Sequence, residues 1–217
     1  MSGCVGVVLG AAGFLGVAAT PDQAEAGWFS RSVPGQSTSM VEGAHRAAPK
    51  AYYRMCDRQP ALCNMDRHAP GVTAEVMTKQ RWRTVIDLNE QVNDQIIERN
   101  DLHVFGVSDY WTVGHRYGDC EDYTITKKQA LIAQGFAPEN LLYGVSRNTW
   151  DRGYHAVLIL RTTDGDYVLD NLRDRILPWE DTGLDFVMRQ AAGEAMAWVA
   201  VADRGAPPEQ MLSMLAQ

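Results

Sequence analysis

One short segment, residues 118–123, places a cysteine among three acids directly before a stretch with helical character. Asp119 suits the N-cap position of this helix, and Asp122, three residues further on, completes a capping-box pattern. Gly135 stands where a left-handed helix stop is expected. Cys120 is therefore predicted to lie in the first turn, where unpaired backbone N–H groups and the positive end of the helix dipole favour a thiolate.

A nucleophilic thiolate needs a base and a group that orients the base. The downstream segments that offer both are two predicted strands, residues 154–160 and 166–172, which contain His155 and Asp170. An imidazole beside the thiol converts it to a thiolate–imidazolium pair, and a carboxylate fixes the imidazole tautomer. The sequence therefore predicts a Cys120–His155–Asp170 triad.

Two registers of this hairpin leave His155 and Asp170 on one face, because side chains alternate with a period of two. A two-residue turn at 164–165 sets Asp170 opposite Ile159, about 13 Å from His155 at roughly 3.3 Å per residue. A four-residue loop over 161–164 sets Asp170 opposite His155. We favour the four-residue loop because it pairs apolar side chains elsewhere in the hairpin, and on this interpretation the triad requires it.

The competing interpretation of Cys120 and His155 is structural, since a lone cysteine or histidine in a strand or helix is usually a packed core residue. The number of cysteines favours the catalytic interpretation. Three remain if an N-terminal export signal is removed, and Cys56 and Cys63 are close enough to bridge in an oxidising compartment. Cys120 is then the free thiol. Two unbridged cysteines are the alternative, and zinc is disfavoured because no second ligand pair stands at zinc spacing.

The N-terminus predicts export. A 15-residue apolar run without charge, residues 5–19, precedes an A-x-A-like cleavage site at 24–26, although no Lys or Arg precedes the run. The run is shorter than the roughly 20 residues that a membrane span needs. An uncleaved anchor and a misassigned start codon are the alternatives. We predict a signal peptide over residues 1–26, a linker over 27–50, one enzyme domain over 51–205 and a C-terminal tail over 206–217.

Charge argues against one class of partner. The chain carries 20 Lys and Arg against 27 Asp and Glu, a net charge of −7 with a pI near 5.2. Nucleic acid selects patches of Lys and Arg, so we expect no nucleic-acid partner.

Apolar periodicity predicts the remaining elements. A helix from Thr73 to about residue 99 carries a core stripe of period 3.6. A strand is predicted over 141–146, and residues 186–201 favour two strands over one helix. A short C-terminal helix is predicted to begin at Pro207.

The acids beside Cys120 oppose a thiolate by like-charge repulsion. They are either solvated acids that complement the helix dipole or ligands of a hard cation such as Ca²⁺, which binds carboxylate and carbonyl oxygens and cancels the repulsion. Asn148 and Asp151 are further oxygen donors that such a site could use.

These residues resemble a known family. Trp111, the Gly-Asp-Cys-Glu-Asp-Tyr segment at 118–123, and the blocks at 154–158 and 168–172 are similar to the bacterial transglutaminase-like cysteine peptidases, the LapG-like periplasmic proteases. The resemblance covers residues 52 to 201 and includes Cys56 and Cys63. It implies a papain/transglutaminase-like α+β fold with a catalytic helix packed on an antiparallel sheet.

The resemblance also implies roles. Cys120 would be the nucleophile, His155 the base and Asp170 its orienting group, with Ca²⁺ held by Asp119 and Glu121. LapG-like members cleave large surface adhesins in the periplasm and are restrained by an inner-membrane cyclic-di-GMP receptor, so we expect those partners here. Transglutaminase-type acyl transfer to an amine, or a non-catalytic binding module on the same fold, are the alternatives.

Overall fold

The computed structural model describes residues 34–63, 73–147 and 153–202. The predicted signal peptide, the tail over 206–217, the C-terminal helix, Asn148 and Asp151 lie outside these residues. Within them, no helix combines the length and apolar character that a membrane crossing requires.

The described residues form four α-helices and nine strands. The helices are α1 (Lys50–Arg58), α2 (Lys79–Gln95), α3 (Asp101–Phe105) and α4 (Cys120–Ala133). The strands are β1 (Glu42–Arg46), β2 (Ile97–Glu98), β3 (Tyr117–Gly118), β4 (Leu141–Arg147), β5 (Tyr154–Thr162), β6 (Gly165–Leu169), β7 (Leu177–Pro178), β8 (Asp185–Gln190) and β9 (Trp198–Val201).

Seven strands build one antiparallel sheet in the order β1-β9-β8-β4-β5-β6-β7, and β2 pairs with β3 in a small parallel sheet. Helix α4 packs against β5 and α2. The predicted α+β fold, with the cysteine-bearing helix on an antiparallel sheet, is confirmed. So are the strand at 141–146 and the two strands within 186–201.

The central strands β4 and β5 are buried along most of their length because both faces of the sheet are covered. On one face Tyr143 packs with Tyr52, Trp111 and Trp198, whose rings meet edge to face. The next residue of β4, Leu142, points to the other cluster, as the two-residue period of a strand requires. Each fully buried side chain of this size contributes about 1.5–3 kcal/mol.

The long helix is shorter than predicted. It begins after Thr78, whose hydroxyl accepts a hydrogen bond from the Arg81 N–H at 3.2 Å, and it ends at Gln95. Thr73 is therefore not its cap. The apolar stripe is core as predicted, with Trp82, Val85, Leu88 and Val92 buried.

Neither predicted register of the hairpin is correct. Thr162 pairs with Gly165 across a two-residue loop, residues 163–164. The Thr162 hydroxyl accepts the Asp164 N–H at 3.1 Å and donates to the Gly165 carbonyl at 2.8 Å. Gly165 has a φ of 114°, which favours glycine. Loop chemistry, rather than strand packing, sets the register.

The last pair of this hairpin joins Leu158 to Leu169. Asp170 follows one step later, beside Val157, so it is neither opposite His155 nor opposite Ile159. Asp170 still lies on the predicted face of the hairpin. The observed register differs from both predicted registers by an even number of residues, and side chains alternate between faces with a period of two.

The segment before α1 contributes to the sheet. Strand β1, at residues 42–46 of the predicted linker, pairs with β9. The ordered domain therefore begins before the boundary expected at residue 51. The predicted disulfide is confirmed: Cys56 of α1 and Cys63 are bridged across a 3-10 turn at Pro60–Leu62.

Candidate active site

Helix α4 begins at Cys120 with Asp119 as its N-cap residue, as predicted, but the predicted capping box is absent from this helix. The Asp119 side chain instead accepts a hydrogen bond from the Asp101 N–H at 3.2 Å. Asp122 turns to the preceding loop, where its Oδ1 accepts from the Thr112 N–H at 3.0 Å. Gly118 is required here because a Cβ at this position would lie 2.7 Å from the Asp122 Cβ. Both acids therefore shape the entry to the helix rather than cap it.

The thiol of Cys120 is the free thiol of the described residues. Its Sγ accepts the Ala156 N–H at 3.4 Å and donates to Glu121 Oε2 at 3.0 Å. Burial raises the pKa of the thiol well above its ordinary value, and the Glu121 carboxylate raises it further. In this arrangement the surroundings of the sulfur favour the neutral thiol over the thiolate.

His155 and Asp170 are in direct contact. His155 Nε2 lies 2.8 Å from Asp170 Oδ1, and both side chains are buried. Oδ1 also accepts the Leu172 N–H at 3.0 Å, and Arg173 Nε lies 3.5 Å from Oδ2. Burial alone raises the pKa of the Asp170 carboxyl, but the hydrogen bond and charge of His155, with smaller effects of Leu172 and Arg173, bring it below its ordinary value. Asp170 is therefore a carboxylate at neutral pH.

Strand β5 joins this pair to the thiol. His155 immediately precedes Ala156, whose backbone N–H reaches the Cys120 sulfur. Nε2 of the imidazole contacts Asp170, and among the described residues the His155 ring makes no hydrogen bond to the Cys120 sulfur. The structure thus pairs His155 directly with Asp170 and brings the Cys120 sulfur to the backbone of the next residue of β5. The three residues come from a helix, a strand and the turn after a strand.

The two acids beside the thiol, Asp119 and Glu121, form a cluster with a third acid, Asp101. One carboxylate oxygen from each of Asp101, Asp119 and Glu121 lies within 4.8 Å of the others. Burial, followed by charge repulsion within the cluster, raises the pKa of Asp101 to about 6 and that of Glu121 to about 8, and burial raises that of Asp119 as well. Asp101 Oδ1 and Asp119 Oδ1 are buried without a hydrogen-bond partner. Three carboxylates with oxygens this close together, two of which also carry a buried oxygen without a partner, fit a hard cation such as Ca²⁺.

Asp101 was not predicted from the sequence. It lies 18 residues before Asp119, and no ligand spacing connects the two. The parallel pairing of β2 with β3 brings the start of α3 beside the start of α4. The N–H of Tyr110 donates to the other oxygen of Asp101 and fixes that side chain. Such a contact follows from tertiary structure. The one local signal in the sequence is that Asp101 follows Asn100, a residue type that often caps helices.

A cleft of about 490 Å³ opens over the thiol. One side is acidic, with Asp109, Asp119 and Glu121. The floor is apolar and crosses three strands, because Ala156, Val145 and Met188 stand side by side on β5, β4 and β8. Cys120 is among the residues that line the cleft, so a molecule bound there lies beside the thiol.

A cysteine at the N-terminus of a helix that packs on an antiparallel sheet, with a histidine on a central strand and an aspartate in the turn after the next strand, is typical of the papain/transglutaminase-like class of thiol enzymes. The family model of the bacterial transglutaminase-like cysteine proteinases matches residues 42–206. The chain belongs to this family and is a transglutaminase-like cysteine peptidase.

Solved structures of LapG from Legionella pneumophila are similar to this chain. The calcium-bound form is 22% identical with a TM-score of 0.46, over 61% of this chain and 77% of that one. A second LapG structure is 26% identical with a TM-score of 0.45, over 54% and 68%. The EGTA-treated form is 21% identical with a TM-score of 0.45, over 61% and 74%. A search of curated protein sequences finds no match.

Proposed function

We propose that this peptidase is a periplasmic endopeptidase in which Cys120 is the nucleophile, His155 the general base and Asp170 the group that orients the imidazole. The observation that carries the proposal is the 2.8 Å contact of His155 with Asp170, next to the residue whose N–H touches the Cys120 sulfur. A buried carboxylate on one ring nitrogen fixes the tautomer in which the other nitrogen accepts the thiol proton.

The chemistry follows from this arrangement. The sulfur attacks the carbonyl carbon of a peptide bond while its proton passes to His155, and the backbone N–H of Cys120 stabilises the developing oxyanion. The imidazolium then protonates the leaving amine, and a thioester forms. A water molecule, deprotonated by His155, attacks the thioester and releases the second product, which regenerates the thiol.

We assign Asp101, Asp119 and Glu121 as the residues that would hold Ca²⁺. Glu121 connects this cluster to the reaction because its carboxylate accepts the hydrogen bond of the thiol and raises the pKa of that thiol. A bound divalent cation supplies positive charge that holds these carboxylates ionised and offsets their repulsion of a thiolate. Without that charge, the buried acids disfavour ionisation of the sulfur.

The substrate and partners are proposed on the family resemblance. We infer a large surface adhesin as the protein substrate, a periplasmic location reached through the N-terminal signal peptide, and an inner-membrane cyclic-di-GMP receptor as the regulator. The cleft supports a polypeptide substrate, since its apolar floor extends across three neighbouring strands beside the thiol.

The test uses the mature chain on an outer-membrane fraction of the source bacterium, with Ca²⁺ or with EGTA. We expect new N-termini on a large surface protein, detected by mass spectrometry, with wild type in Ca²⁺ and not with Cys120→Ala. Covalent incorporation of a fluorescent amine without cleavage would instead identify acyl transfer. Equal cleavage by wild type and Cys120→Ala would contradict the proposal.

A further inference from the structure

The carboxylate that faces His155 is carried by a turn, not by the sheet. Strand β6 ends at Leu169, and the hairpin ladder contains no pair beyond Leu158–Leu169. Asp170 is the first residue of the turn at 170–174. The position of its carboxylate therefore depends on whatever fixes the main chain of this turn.

Two asparagines of α2 bind the turn. Asn93 Nδ2 lies 3.1 Å from the carbonyl oxygen of Asp170, 3.4 Å from that of Arg173 and 2.8 Å from Asp174 Oδ1. Asn89 Nδ2 donates to the carbonyl of Asp174 at 2.8 Å. The two amides are four residues apart, so they project from the same face of α2. Asn93 alone of these two reaches the main chain of Asp170.

Helix α2 also packs against α4, the helix that begins at Cys120. One rigid element thus contacts both the nucleophile helix and the turn that carries Asp170. We propose that Asn93 is a positioning residue for the peptidase reaction, which acts through Asp170 by fixing its main chain relative to the helix of Cys120. The inference rests on the proposed Cys120–His155–Asp170 function.

The other charged groups near Asp170 affect the electrostatic environment of its carboxylate and do not hold its main chain in position. Arg173 Nε lies 3.5 Å from Asp170 Oδ2, but its side chain is 40% exposed. Lys127 of α4 is buried, and its Nζ makes no hydrogen bond to any described residue. Asp174 and, from α2, Glu90 add negative charge at the far end of the turn. His155 of β5 contacts the side chain, whereas Asn93 donates to the backbone.

The test compares Asn93→Ala and Asn93→Asp with wild type. Asn93→Asp keeps the shape of the side chain but removes its N–H donors. Gln91→Ala, at an exposed position of the same helix, is the matched control, and Asp170→Asn is the positive reference. Each variant is examined below its melting temperature in Ca²⁺ buffer.

Two measurements separate positioning from simple stability. The first is the NMR signal of the His155 ring Nε2–H in protein labelled with ¹⁵N-histidine, assigned by its loss in His155→Gln. The second is the rate at which iodoacetamide alkylates Cys120 at neutral pH, followed by peptide mass spectrometry. A hydrogen-bonded, buried ring proton exchanges slowly and is visible, whereas a ring that loses its carboxylate partner exposes the proton to water.

We expect both Asn93 variants to lose or broaden this signal and to alkylate about tenfold more slowly, the effect of one lost hydrogen bond on the reacting geometry. Gln91→Ala should match wild type. A lower melting temperature with unchanged ring signal and unchanged alkylation rate would overturn the positioning role. If Asp170→Asn itself leaves signal and alkylation unchanged, the proposed triad fails instead, which distinguishes the two outcomes.

Discussion

Asp170 lies diagonally across the hairpin from His155, and their side chains meet at 2.8 Å. If the observed register is extended by one pair, Asp170 stands beside Val157, which is two residues from His155 on the same face of the hairpin. Diagonal neighbours in an antiparallel pair are about 7–8 Å apart at the backbone, a distance that an imidazole and a carboxylate together can span. A direct pairing of the two residues is therefore not needed to bring base and carboxylate together.

This contact makes a first prediction. His155→Ala should lower kcat/KM by about 10³-fold or more, because no group then accepts the thiol proton. Asp170→Asn should lower kcat while leaving KM nearly unchanged, since the ring loses its orientation but the cleft is intact. Cleavage of a peptide spanning the mapped cut site measures both. His45→Ala, at an exposed position of β1, is the control and should behave as wild type.

The sequence was sufficient for the elements whose local chemistry is strong. The acid-flanked cysteine predicted the start of α4, the cysteine spacing predicted the disulfide, and alternation predicted that His155 and Asp170 share a face. The predicted register of the hairpin was wrong. The observed register depends on the hydrogen bonds of the Thr162 hydroxyl and on the backbone of Gly165, and the packing of the strands reveals neither of them. Local propensity also cannot tell whether an acid caps a helix or turns toward a distant backbone N–H.

Asp101 shows a different limit. Its place beside Asp119 is produced by the pairing of two-residue strands β2 and β3, which are too short to leave a pattern in the sequence. Asn93 is similar, since its contacts with the turn at 170–174 join residues about eighty positions apart. Contacts of this kind form between residues that are distant in the sequence, so they depend on the tertiary fold and leave no local pattern in the sequence.

The acidic cluster makes a second prediction. Asp101→Asn should weaken Ca²⁺ binding by removing one of three converging carboxylates, and should lower peptidase activity at limiting Ca²⁺ although Asp101 does not touch the thiol. Isothermal titration calorimetry measures the binding, and saturating Ca²⁺ should restore part of the activity. Asp94→Asn, on the exposed face of α2, is the charge-matched control. Unaltered calcium affinity in Asp101→Asn would remove Asp101 from the site.

The raised pKa values make a third prediction about pH. The pKa values of Asp101 and Glu121 are about 6 and about 8 in the folded state, above their unfolded values of about 4. The calcium-free fold therefore binds these protons more tightly than the unfolded chain, and its stability falls as the pH rises through the folded pKa values. Ca²⁺ needs the ionised carboxylates, so its binding should strengthen over the same range and release protons.

Thermal melts at several pH values, with Ca²⁺ or with EGTA, test whether the stability gained from Ca²⁺ increases with pH. At about 100 times the Kd, Ca²⁺ should add roughly 2.7 kcal/mol, or about 5–10 °C in Tm for a chain of this size. The difference between the Ca²⁺ and EGTA melts should be large near pH 8 and small near pH 5. A difference that grows toward acid pH would contradict the assignment of these carboxyls.

The disulfide makes the last prediction. Cys56 and Cys63 close a short loop at the end of α1, and the chain-entropy estimate for a loop of this length is about 2–3 kcal/mol. From this helix, Arg58 Nη2 donates to the Trp111 carbonyl at 2.9 Å, which ties α1 to the loop that forms one wall of the cleft. The double variant Cys56→Ala/Cys63→Ala should lower Tm by about 5–10 °C. The double variant should also raise KM more than it lowers kcat. The cleft wall loosens in this variant, whereas the contact of His155 with Asp170 lies elsewhere in the structure. A decrease confined to kcat would show instead that the disulfide acts on the reacting groups themselves.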